Sequence, residues 1–184
     1  MKGFPSTLEK LSINSSNIRT PVDRRIFSLK NLHTLDLSLN NIGELPTKIE
    51  MNSLHTFILR SNQLKILPKD LKCPQLKILD LSQNHFQSID GTLLSLRTLE
   101  RLNLSDNQIH YLPRHILRQL PQLQVFNITS NQIRIIPSCL AASGTRLHTF
   151  HYSENPLVIE RSITCQRWDI SLLEIALRTI VRHR

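Results

Sequence analysis

The sequence predicts an α/β solenoid: a curved parallel sheet on the concave side, with short helical or irregular segments on the convex side. Three observations predict it. A unit of the form L-x-x-L-x-L-x-x-N-x-L recurs seven times, counting a worn copy at each end. Successive copies lie 22 to 24 residues apart. Leu-Pro-x-x-Leu/Ile, or Ile-Pro in its place, recurs in the second half of four units. Self-similarity at such a period marks units that cannot bury an apolar face alone and must stack on their neighbours.

The copies can be read in order. A worn first copy has Leu8, Leu11, Ile13 and Ile18, with Ser16 where the others carry Asn. Then come Leu32, Leu35, Leu37, Asn40, Ile42; Leu54, Phe57, Leu59, Asn62, Leu64; and Leu76, Leu79, Leu81, Asn84, Phe86. Leu99, Leu102, Leu104, Asn107, Ile109 and Leu123, Phe126, Ile128, Asn131, Ile133 follow. A worn last copy has Leu147, Phe150, Tyr152, Asn155 and Leu157. From Ser16 onward the steps are 24, 22, 22, 23, 24 and 24 residues. In each copy the L-x-L core predicts a short strand with its leucines inward and the intervening residues outward. The Asn falls where the chain turns off the strand, and its amide can bond the backbone of adjoining turns. Pro at Pro46, Pro68, Pro113 and Pro137 suits a turn or a first helical position. The expected organisation is a solenoid over residues 1–157 and a connector with a C-terminal helix over 158–184.

Composition bounds the function. The chain has 184 residues, 40% of them hydrophobic and 20% charged, which describes neither a disordered tail nor a membrane span. The N-terminal MKGFPSTLEK has no apolar stretch, so no export signal is expected. On that ground the sequons at Asn14, Asn103 and Asn127 are read as accidental, and Cys73, Cys139 and Cys165 as reduced thiols. The expected location is intracellular, in nucleus or cytoplasm. The net charge of +9 is spread out: +4 over residues 1–30, zero over 31–90, +3 over 91–157 and +2 beyond. With only 5% aromatic residues and no continuous basic stripe, direct nucleic-acid binding is not expected. Ser/His/Asp and Cys/His arrangements, paired carboxylates and a Gly-rich phosphate loop are missing at useful spacing. His33, His55 and His148 share one template position, too few in register for a zinc site. The expectation is a non-enzyme without metal or cofactor.

The outward residues of the strands form columns from copy to copy. One reads Ser12, Asp36, Ile58, Asp80, Asn103, Asn127, His151, and the next Asn14, Ser38, Arg60, Ser82, Ser105, Thr129, Ser153. Small polar residues dominate both. Leu39, Ile58, Arg60, Arg101 and His151 depart from that filler and are the expected protein contacts on the concave face.

These copies identify the sequence as resembling the leucine-rich repeat family over roughly residues 8–157. The resemblance implies a platform that binds other macromolecules on its concave face. After Leu157 a different pattern begins. Ser171 and Glu174 form a capping box, and Arg178, Arg182 and Arg184 suit a helix C-terminus. Leu172, Ala176 and Ile180 form one apolar stripe and Leu173, Leu177 and Val181 a second. Two stripes suit two partners, the end of the solenoid and another protein; a helix that only caps needs one. Ser171-Leu172-x-x-x-Ala176-x-x-x-Ile180 resembles the elongin-binding box of cullin–RING ubiquitin-ligase substrate receptors, with Ala176 where that family usually has Cys. The resemblance implies that Leu172 anchors in an apolar pocket of elongin C, with Ser171, Ala176 and Ile180 around it. It further implies elongin B, a cullin and a protein substrate as partners, with ubiquitin transfer done by the complex. Members of that family continue into a cullin-selecting segment and a Cys-rich region, neither of which lies within these 184 residues. The rival expectation is a scaffold or signalling regulator resembling the Ras-suppressor-like repeats, in which the tail helix is only a cap.

Overall fold

A computed structural model of the chain describes residues 4–140 and 146–158. Among them, seven three-residue strands form one parallel sheet: β1 Lys10–Ser12, β2 Thr34–Asp36, β4 Thr56–Ile58, β6 Ile78–Asp80, β7 Arg101–Asn103, β8 Val125–Asn127 and β9 Thr149–His151. Each pairs in register with the same template positions of the next copy, as in Leu35 beside Phe57 and Phe57 beside Leu79. The solenoid fold with a parallel sheet follows the expectation. The expected helix with Ser171, Leu172, Ala176 and Ile180 lies outside the described residues.

Within each of these strands only the middle residue points inward. Leu35, Phe57, Leu79, Leu102 and Phe126 are 0–1% exposed, while the residues flanking them are half-buried or exposed. One continuous core joins these to the other template apolar positions. Phe57 and Phe126 take a Leu position each and are among the largest side chains fully buried. Phe126 stacks on Phe150 of the next copy at 5.7 Å between ring centroids, and Phe150 meets Tyr152 at 5.2 Å.

The template Asn residues tie each copy to the one before it. Asn84 Oδ1 accepts from the Leu64 amide at 3.0 Å, and its Nδ2 donates toward the carbonyls of Leu59, Leu81 and Ser82 at 3.0–3.1 Å. Asn40, Asn62, Asn107, Asn131 and Asn155 repeat the arrangement one copy apart. Ser16, which replaces Asn in the first copy, gives its backbone amide to Asn40 Oδ1. The residue before each Asn sits in the left-handed region, with φ of 54–56° at Leu39, Ser61, Gln83, Asp106, Ser130 and Glu154. That turn swings the Asn inward.

The convex side departs from the expectation in two copies. There the chain is extended: β3 Lys48–Glu50 and β5 Asp70–Lys72 pair in parallel as a second, two-stranded sheet. Elsewhere the segments are 3-10 turns at Arg24–Ser28 and Ser138–Leu140 or single helical turns, α1 Gly91–Leu94 and α2 Ile116–Gln119. Repeat length explains the split. The two extended segments lie in the copies with 22-residue steps, the helical ones in those with 23 or 24. A strand advances about 3.3 Å per residue and a helix about 1.5 Å, so fewer residues span the same path only when extended. Asp90 caps α1 by accepting from the Leu93 amide at 3.0 Å. Cys73, just after β5, is buried, and that burial pushes its thiol up to about 11, against a smaller opposing effect of its hydrogen bond with the Met51 backbone.

Replacing Asn84 with Ala strands one buried amide and up to three carbonyls. Chemical denaturation should show a loss of about 2–4 kcal/mol. Asn155→Ala, at a half-buried and partly exposed site, should cost less; equal losses would contradict the ladder account.

Candidate functional site

The sheet's outward residues form the concave face, and their hydrogen bonds separate structural positions from free ones. In the central column, Asp36 Oδ1 accepts from the Ser38 amide at 2.9 Å and Asp80 Oδ1 from the Ser82 amide at 2.9 Å and hydroxyl at 2.6 Å. Asn103 and Asn127 do the same for the Ser105 and Thr129 amides, at 3.1 and 3.0 Å. These side chains tie down the strand's exit, the local bonding for which Asp and Asn are suited. Ile58 occupies the same column between Asp36 and Asp80. It offers no acceptor to the Arg60 amide, so its half-exposed side chain contributes nothing to that turn.

Arg60 is exposed and its Nε donates to Gln83 Oε1 of the next copy at 3.3 Å. Arg101 lies in β7 on the first strand column, exposed, with Ile78 and Val125 beside it in register. The two columns considered in the sequence leave out this first strand position, so Ile78 and Val125 go unremarked there. The alternation of each strand is the signal that would have found them. The result is a cation with an aliphatic residue on either side. Nearby, Lys77 already holds Glu100 at 3.1 Å.

Leu39 is not in a strand column. It stands at the left-handed turn after β2, with φ of 56° and 55% of its surface exposed, at the rim rather than the floor of the concave face. His151 is exposed in β9, at the far edge of the described sheet. Ile58, Arg60 and Arg101 therefore share the middle of the sheet, Leu39 stands at its rim, and His151 is apart from them. His33 and His55 stack with ring centroids 5.2 Å apart, and His55 Nδ1 lies 2.7 Å from the Ser53 carbonyl. His148 is four copies beyond. Among the described residues no group of three or more His, Cys, Asp or Glu is placed to hold a metal ion, and no described helix is long and apolar enough to cross a membrane.

Comparison with known proteins agrees with this geometry. A leucine rich repeat model matches residues 74–133, and a second matches residues 28–44. Human oligodendrocyte-myelin glycoprotein is 33% identical over 122 residues, which is 64% of this chain and 28% of that protein. A solved Leptospira interrogans leucine-rich repeat protein is 28% identical with a TM-score of 0.59, covering 80% of this chain and 43% of its own. The APL1 leucine-rich repeat domain, at 24% identity and a TM-score of 0.69, shares the fold over 82% of this chain and 39% of that domain. The chain thus spans less than half the length of each of these matches.

Ile58→Asn restores the acceptor that the neighbouring copies use. Thermal unfolding should place this variant within about 1 kcal/mol of the native protein, since one new hydrogen bond offsets the lost apolar contact. Leu79→Ala, in the core position of the next strand, should cost about 2–5 kcal/mol. A comparable loss in both would mean that Ile58 is part of the scaffold.

Proposed function

We propose that this leucine-rich repeat solenoid is a protein-binding adaptor. In this reading the concave face holds a protein substrate, and the segment after the last repeat recruits elongin C, with elongin B and a cullin behind it. Leucine-rich repeat solenoids serve as interaction scaffolds, and the described site has the makings of contact rather than catalysis. It carries an apolar side chain released from structural work at Ile58, and a cation between two aliphatics at Arg101. A partner segment with carboxylates and aliphatic side chains fits it.

The observation that carries the finer reading is the order of the sequence. Ser171-Leu172-x-x-x-Ala176-x-x-x-Ile180 follows directly on a solenoid, the arrangement seen in leucine-rich repeat protein 1, a substrate receptor of a cullin-2 type ubiquitin ligase. Leu172 is the anchor, Ala176 a small packing residue in place of Cys, and Ile180 the end of the stripe. Such a receptor does no chemistry itself; it brings a substrate to the ubiquitin-transferring complex, and works inside the cell, in nucleus or cytoplasm.

Co-expression with elongins B and C tests this. The native chain should co-purify with both, and Leu172→Asp should weaken the complex more than about 100-fold, because an apolar pocket cannot solvate a carboxylate. Circular dichroism should show the repeats intact in both. A native chain that captures no elongin would overturn the reading in favour of a repeat scaffold whose tail is a cap.

A further inference from the structure

The apolar template is sealed inside the solenoid and open at its C-terminal end. Leu123, Phe126, Ile128 and Ile133 are 0–1% exposed. The same positions of the last copy, Leu147, Phe150, Tyr152 and Leu157, are only half-buried, because among the described residues no strand lies beyond β9. The hydrogen bonds between copies end there too. The amides of Ile128 and Ser130 donate to the His151 and Ser153 carbonyls, and the Ile133 amide to Asn155 Oδ1 at 3.0 Å. In the last copy the Leu157 amide turns back to the Asn155 carbonyl at 2.8 Å. Val158 is 56% exposed, and its amide donates to the Arg134 carbonyl at 2.8 Å, so residues 159–184 start from this end. A cut section of a repeat core calls for a cover.

We propose that the chain's own residues 159–184 dock on this end through Leu173, Leu177 and Val181, leaving the neighbouring stripe of Leu172, Ala176 and Ile180 open to a second protein. At four-residue spacing such a stripe advances about 6 Å per side chain along a helix, close to the 5.2 Å between the Phe150 and Tyr152 rings. The tether starts at the site, which sets the segment's effective concentration on the order of mM. The N-terminal end, where Leu8, Leu11, Ile13 and Ile18 are also half-buried, lies six sheet steps away, about 29 Å. A second copy stacked head to tail would bring that N-terminal end to β9, with Ser16 where every inner junction has an Asn acceptor. Ser16 Oγ already donates to the Asn14 carbonyl at 3.0 Å, so the ladder of amides does not continue into such a neighbour. The docking stripe is not the one assigned to elongin C; this docking goes beyond the adaptor reading and stands without it.

Hydrogen exchange on the full chain tests this at the His148 and Thr149 amides, bonded to the Gln124 carbonyl, which fraying of the last copy releases. Leu173→Ser/Leu177→Ser/Val181→Ser should speed their exchange at least tenfold and leave β4 and β6 unchanged. Leu172→Ser/Ala176→Ser/Ile180→Ser costs a helix at least as much, yet should leave the two amides within about twofold of the native rate. Light scattering should give a monomer throughout. Unchanged exchange in the first variant, equal acceleration in both, or a dimer whose dilution opens the last copy would overturn the proposal. A native chain that captures no elongin contradicts the adaptor reading alone and leaves this docking standing.

Discussion

The side-chain amide of the template Asn is the constraint on which the rest of this structure depends. Each strand is only three residues long, and backbone bonds such as the Leu37 amide to the Ile58 carbonyl and the Leu39 amide to the Arg60 carbonyl carry the ladder on to the turn. A turn through the left-handed region follows every strand of the seven-stranded sheet, and after all but the first it points an Asn amide into the core. There Asn62, for example, reaches Leu37 of the preceding copy and Leu59 of its own through Nδ2, and takes the Ile42 amide through Oδ1. A buried turn would otherwise leave these backbone groups unpaired, at a cost comparable to several lost hydrogen bonds. No buried side-chain polar atom among the described residues lacks a partner. The same geometry sets copy upon copy at a fixed register, which is what turns isolated residues into columns.

Columns separate structure from recognition. Positions that bond backbone, such as Asp36, Asp80, Asn103 and Asn127, are committed to the strand exits. Leucines and phenylalanines fill the interior with almost no exposure. What stays free is a small set of outward side chains on the concave face, Ile58 and Arg101 with its aliphatic neighbours.

Much of this was legible in the sequence. The copies, the core positions and the role of Asn follow from spacing and residue type, because one template is printed seven times. The extended segments β3 and β5 were missed, although the two 22-residue steps point to them once the rise per residue of strand and helix is compared. Leu39 reads as a concave contact because it is apolar where small polar filler would do, and the structure sets it in the left-handed turn after β2, outside the strand columns. Ile78 and Val125 resemble core residues in a linear reading, and only strand alternation shows that they face outward beside Arg101.

Hydrogen exchange followed by mass spectrometry tests the central claim most directly, because it reads the amides that the Asn ladder is said to hold. The account predicts that the backbone amides of Ile42, Leu64, Phe86 and Ile109, donated to Asn62, Asn84, Asn107 and Asn131, exchange slowly and as one block. Their protection should approach that of the strand amides of β4, β6 and β7, and exceed that of the convex turns. Fast exchange at these four amides, with the strands still protected, would contradict the account and place the stability of the solenoid in its apolar core alone.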